Sequence, residues 1–124
     1  GNKLNTQVVR FNADWQVVEG WVIPPDILER FEAMSNSGGS WGPDGNLWLS
    51  GHDPREVYVM QLPELGSQLV WIATVPLEIE GQGIAWDRSA DVPTLYGIVR
   101  PDRRVTVTEV TFPTVDSTRP VSAR

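Results

Sequence analysis

Between Leu47 and Val75 the apolar positions come in three short runs, each closed by turn-forming residues. The runs are Leu47-Trp48-Leu49, Val57-Tyr58-Val59-Met60 and Leu69-Val70-Trp71-Ile72. The breaks between them are Gly51-His52-Asp53-Pro54 and the stretch Pro63 to Gln68, and Pro43-Asp44-Gly45-Asn46 precedes the first run. Pro presets a negative φ, Gly supplies a positive one, and Asp and Asn tolerate the left-handed region, so each break is a turn. Four strands follow: A over 39–42, B over 47–50, C over 56–62 and D over 69–75, a meander of short β-prone runs. Strands B, C and D do not alternate between apolar and polar residues. A half-exposed antiparallel sheet keeps one wet face, so this one has to be covered on both.

The pattern repeats on either side, and internal periodicity sets the architecture. Leu47-Trp48 through Val57-Tyr58-Val59 aligns without a gap on Leu95-Tyr96 through Val105-Thr106-Val107 at an offset of 48 residues. Gly38-Gly39-Ser40-Trp41-Gly42 aligns on Gly81-Gln82-Gly83-Ile84-Ala85 at an offset of 43. Upstream, Gln16-Val17-Val18 with Ile23-Pro24 matches Gln68-Leu69-Val70 with Val75-Pro76. In chain order the strands are therefore C, D, then A, B, C, D, then A, B, C. They occupy 7–24, 38–76 and 81–112, with a helical or loop insertion over 25–37 and a tail over 113–124. In the insertion, Asp26 and Glu29 have capping-box spacing, and Ile27, Leu28, Phe31 and Met34 fall on one helical stripe. A helix of about two turns is predicted there, packed over its neighbours, or else forming a lid or partner groove. Ser35 to Gly39 reads as a flexible linker, and Gly1 to Thr6 as a frayed end.

The segments GPDGNLWLSG…EVYVMQLP and GQGIAWD…TLYGIVRPDRRVTVTEV resemble blades of a six-bladed β-propeller of the gluconolactonase, NHL or quinoprotein-like kind. The resemblance spans roughly residues 7 to 112. It implies an all-β fold of antiparallel four-stranded blades, here an incomplete ring. Blade motifs recur in proteins of unrelated activity, so it implies architecture more than chemistry. Nine strands cannot close a ring of four-stranded blades, and apolar faces would stand open at both ends. The expected partners are the remaining blades of a longer chain, of which this would be the C-terminal piece, or further copies of itself.

Composition narrows the classes. A net charge of −6 and a pI of about 4.6 argue against a phosphate-binding surface, so nucleic acid is not an expected partner. No apolar run reaches the ~18 residues of a membrane span, and the expectation is a soluble chain, with a secreted or periplasmic setting compatible. The absence of cysteine removes disulfides, zinc-thiolate sites and thiol nucleophiles, and leaves the redox compartment open.

In propellers, the D–A and B–C loops gather at one mouth of the channel, where ligands sit. That resemblance makes Asn36, His52, Asp53, Arg55, Glu80, Gln82, Arg100 and Arg103 the candidate ligand-binding residues, with Ser37, Glu78 and Asp102 beside them. His52, the only histidine, could be oriented by Asp53 as a general base, but Gly-His-Asp-Pro is also plain turn chemistry. Glu78 and Glu80 in one loop, and Asp53 and Asp102 at related positions, offer oxygen ligands suited to Ca2+ or Mg2+. Against this, lactonase-like propellers carry Glu and Asn ligands on channel-lining segments, where this chain has Ser40, Trp41, Ile84 and Ala85. Of the six tryptophans, Trp15 and Trp21 on the first hairpin are the candidates for a sugar-stacking platform; core filling is the alternative for all six. Gly81-Gln82-Gly83 opens a strand and not a helix, which excludes a dinucleotide fingerprint. Three functions stay open: a ligand- or protein-binding scaffold, the C-terminal part of a propeller hydrolase or lactonase or a sugar dehydrogenase, and a self-assembling lectin-like blade unit.

Overall fold

The turn at Pro43–Asn46 is built by its own side chains. Gly45 takes φ +80°, the Asn46 N–H donates to Asp44 Oδ1 at 3.2 Å, and the Gly42 N–H donates to the Asn46 carbonyl at 2.9 Å. The same aspartate accepts from the Trp48 indole at 3.1 Å, tying the turn to the strand that leaves it. The structure, a computed structural model, describes residues 2–113; the expected tail over 113–124 lies outside them beyond its first residue. Nine strands are described: β1 (Gln7–Phe11), β2 (Val17–Val22), β3 (Gly38–Trp41), β4 (Leu47–Ser50), β5 (Glu56–Gln61), β6 (Val70–Pro76), β7 (Ile84–Asp87), β8 (Thr94–Val99) and β9 (Arg104–Glu109). A short helix, α1 (Pro25–Arg30), lies between β2 and β3.

The strands form three antiparallel sheets: the hairpin β1-β2, the sheet β3-β4-β5-β6 and the sheet β7-β8-β9. The class is all-β. The four-stranded sheet lies in the middle and is covered on both faces, as its unbroken apolar runs require. Side-chain alternation sorts the residues of β4 and β5, while a bulge interrupts it in β6. Leu47, Leu49, Tyr58, Met60 and Leu69 pack with Trp21 and Ile23 of the hairpin unit and with Ile27, Leu28 and Phe31 of the helical segment. Trp48, Val57 and Val59 face the other way, toward Ile84, Trp86, Leu95 and Val110 of the three-stranded sheet. The indoles of Trp48 and Trp86 meet edge to face with centroids 4.9 Å apart, and Phe112 packs on both.

Two backbone seams join the sheets. On one side the Val22 N–H donates to the Ser67 carbonyl at 2.8 Å and the Leu69 N–H to the Val22 carbonyl at 3.0 Å. On the other, the loop after β6 runs parallel to the end of β8 through Glu80 and Val99. Gly97 permits that approach, because a Cβ there would collide with the Ile79 side chain.

Several sequence expectations need correction. Strand pairing sets Trp41 opposite Leu47 and Trp86 opposite Leu95, so β7 matches β3 at an offset of 45 residues and not 43. Ile84 corresponds to Gly39, and the loop after β7 is longer by three residues. The glycines of the two runs had matched for their backbone freedom, not for register. The capping box does not form: Pro24 is the N-cap, no side chain caps the helix, and Pro25 starts it. Proline at the first helical position already lacks the N–H that a cap would satisfy. The helix ends at Arg30 and Glu32 takes φ +55°, so Met34 leaves the buried stripe and is exposed.

Residues 2–6 are not frayed. Lys3–Asn5 form a 3-10 turn, and Lys3 Nζ donates to the Leu28 carbonyl at 2.8 Å and to that of Glu32. Carbonyls at a helix C-terminus lack intrahelical partners and attract an ammonium group. The supposed linker is likewise pinned: the Ser37 N–H donates to the Ser50 carbonyl at 2.8 Å.

Candidate functional site

The two loops that follow β4 and β8, and the loop that joins β6 to β7, meet at one end of the stack. The cause is local. Gly81 sits at φ +77°, which a glycine adopts without strain. The position of a Cβ on it would be 3.2 Å from the His52 carbonyl oxygen and 3.3 Å from Arg100 Nε, so the three loops touch at this residue. The Glu80 N–H donates to the Ile98 carbonyl at 2.8 Å, and the Arg100 N–H to the Glu80 carbonyl at 2.9 Å. Ser50 Oγ donates to the Gln82 carbonyl at 3.3 Å, closing the same corner from below.

The eight candidate residues divide by what their side chains already hold. Asn36, with its amide nitrogen turned inward, donates to the Gly38 carbonyl at 3.2 Å and to the Ser50 carbonyl at 3.0 Å, so its donors serve the fold. His52 Nδ1 and Asp53 Oδ1 are 2.6 Å apart; the pair is local, one residue orienting the next, and His52 is largely covered. Arg55 Nη2 donates to Glu80 Oε2 at 2.7 Å across the two loops. Gln82, Arg100 and Arg103 are exposed, and their side chains have no hydrogen bond or ion pair among the described residues. Arg103 takes φ +51° and closes a turn on the Arg100 carbonyl through its N–H, at 3.1 Å.

Beside them the Glu78 carboxylate accepts from Arg104 Nη2 at 2.7 Å, with Asp102 3.6 Å from the same nitrogen. The Arg104 guanidinium holds the Glu78 carboxyl below its ordinary range, chiefly through that hydrogen bond. Glu78 and Glu80, expected as neighbouring cation ligands, are thus each committed to a different arginine. Among the described residues no three His, Asp or Glu side chains converge as a metal site.

Two features escaped the sequence. Arg30 donates to Glu56 through Nε at 2.9 Å and Nη2 at 2.7 Å, and the Tyr58 hydroxyl donates to the same carboxylate oxygen at 2.7 Å. Burial, followed by the hydrogen bond to Glu56, drives the Tyr58 phenol far above its ordinary value. The guanidinium also lies 5.8 Å from the ring centroids of Tyr58 and Trp71. No sequence signal links residues 26 positions apart, so only the fold reveals this clasp between helix and sheet. The second is a cleft of about 210 Å³ at the opposite end, lined by Pro43, Trp86, Asp87, Arg88, Asp91 and Pro93 among others. The Trp86 indole N–H is buried and has no partner among the described residues.

The sugar-stacking pair does not form. Trp21 is in the core, while Trp15 stands exposed at the hairpin turn and tilts against Phe11 at 5.9 Å. No family model, curated protein or solved structure matches the chain.

Proposed function

We propose that the three sheets are consecutive blades of a β-propeller, six-bladed when complete, and that the protein is a binding scaffold whose ligand meets the end formed by the loops after β4, β6 and β8. The repeat itself supports the blade reading. The middle sheet presents one face to its predecessor and the other to its successor. The first strands of two successive sheets also lie side by side, the Trp86 N–H donating to Ser40 Oγ at 3.1 Å.

One observation carries the site: Arg100 and Arg103 project from a junction in which the nearby carboxylates Glu78 and Glu80 are already paired. Unengaged guanidinium groups fit carboxylates bidentately, so the ligand class is an acidic small molecule or an acidic segment of a protein. Among the described residues, an enzymatic role of the lactonase or sugar-dehydrogenase sort has the His52–Asp53 pair to draw on. Thermal-shift titration with citrate and with a glutamate-rich peptide tests the proposal. The melting temperature rises with at least one probe in the wild type, and the rise disappears in the Arg100→Ala/Arg103→Ala variant. No shift with either probe, or a shift that survives the double substitution, overturns it.

A further inference from the structure

The open face of the last sheet has a buried counterpart inside the same molecule. At the offset of 48 residues, Tyr96, Val105 and Val107 occupy the places of Trp48, Val57 and Val59. The latter three are 0% exposed beneath the β7-β8-β9 sheet, whereas Tyr96 is 39%, Val105 64% and Val107 61% exposed. Tyr96 pairs with Val107, and Ile98 with Val105, so alternation sets all four on one face, apolar at its centre and bordered at one end by Asp87, Thr94 and Glu109. The other end of the stack mirrors this. Val8 and Trp21 of the hairpin turn inward to the core, while Val9, Phe11 and Val17 stand exposed on an uncharged surface at the hairpin's outer side. Within the chain, a face of the Val57/Val59 kind is covered by the opposite kind of face from the next sheet. The hairpin exposes that opposite kind.

We infer that the outer face of β7-β8-β9 docks the outer face of the β1-β2 hairpin of a second copy, head to tail. One contact of this type covers both open apolar surfaces and reuses a packing the molecule already contains. Because the two patches differ, the contact is heterologous, and its repetition closes a ring or extends a filament. The proposal does not depend on any ligand at the loop end.

Sedimentation of the wild-type chain over a wide concentration range reads the contact directly. The mass climbs from the monomer value of 13.8 kDa to at least twice that. Val105→Asp/Val107→Asp holds the chain at the monomer mass, and so does Phe11→Asp/Val17→Asp at the other end. Mixing the two variants restores a complex that stops at two chains, since each retains the face the other has lost. A wild type that stays monomeric throughout means that something else covers the face, and overturns the inference. Variants that do not complement each other overturn it too, as does a contact that only one pair of substitutions breaks. Because the chain lacks cysteine, a Val107→Cys chain mixed with a Val9→Cys chain gives an independent readout that needs no charged substitution. An intermolecular disulfide between the two is expected, and its absence counts against the contact.

Discussion

The β3-β4-β5-β6 and β7-β8-β9 sheets carry the same run of residue types and have different fates. Val59 and Val107 sit at equivalent places on equivalent strands, yet one is sealed between two sheets and the other faces solvent. Trp48 and Tyr96 are a similar pair. What separates them is not propensity, pattern or turn chemistry but the presence of a neighbour. Strand formation in this chain is local, since β8 and β9 form in their expected places with one face uncovered. Burial of the middle sheet is supplied by the units on either side of it.

The sharpest way to break the comparison is to introduce the same charge on both sheets. Val59→Asp places a carboxylate in a dry interface and costs about 4 kcal/mol or more, enough to unfold a small domain. Val107→Asp changes stability by less than about 0.5 kcal/mol at dilute concentration. Urea denaturation followed by circular dichroism separates the two; equal losses would mean that the faces are not different. A milder version compares the first hairpin with the middle sheet. Met60→Ala leaves a cavity under the helix and costs about 2–5 kcal/mol. Val9→Ala, on the hairpin's outer surface, stays within about 0.5 kcal/mol on the same measurement.

The smallest effect concerns the joint between the two larger sheets. Glu78 pairs with Arg104 of β9, and its folded-state carboxyl titrates below the ordinary value of 4.5. A depressed carboxylate contributes stability above its unfolded value and loses it as pH falls through the folded one. The wild type therefore melts slightly above Glu78→Gln at neutral pH, and the gap closes below about pH 4.5. Both groups are exposed, so the gap is small and shrinks with salt. A gap that persists in acid would assign the difference to packing.

Much of this was legible in the chain, for reasons that differ by element. β4 begins and ends where the sequence predicts, because turn formers bracket Leu47–Ser50 on both sides. The meeting of the loops after β4, β6 and β8 followed from the propeller resemblance. The side-chain pairing there did not: nothing in the local pattern says that Glu80 will take Arg55 while Glu78 takes Arg104. The offset of β7 misled because glycine matches glycine wherever backbone freedom is needed. Asn36 and Ser37 looked like linker because their polarity is typical of one, but the Asn36 amide and the Ser37 backbone N–H anchor them to the Ser50 carbonyl. Polar residues beside a strand end satisfy backbone groups as readily as they meet solvent.

The contact between Trp48 and Trp86 has a practical consequence. Two indoles from different sheets, crossed at 83° and under 5 Å apart at their centroids, couple their electronic transitions in a way that isolated tryptophans do not. Their near-ultraviolet dichroism is therefore a built-in gauge of whether the second and third sheets are seated together. It would vanish if they parted while every strand kept its own hydrogen bonds.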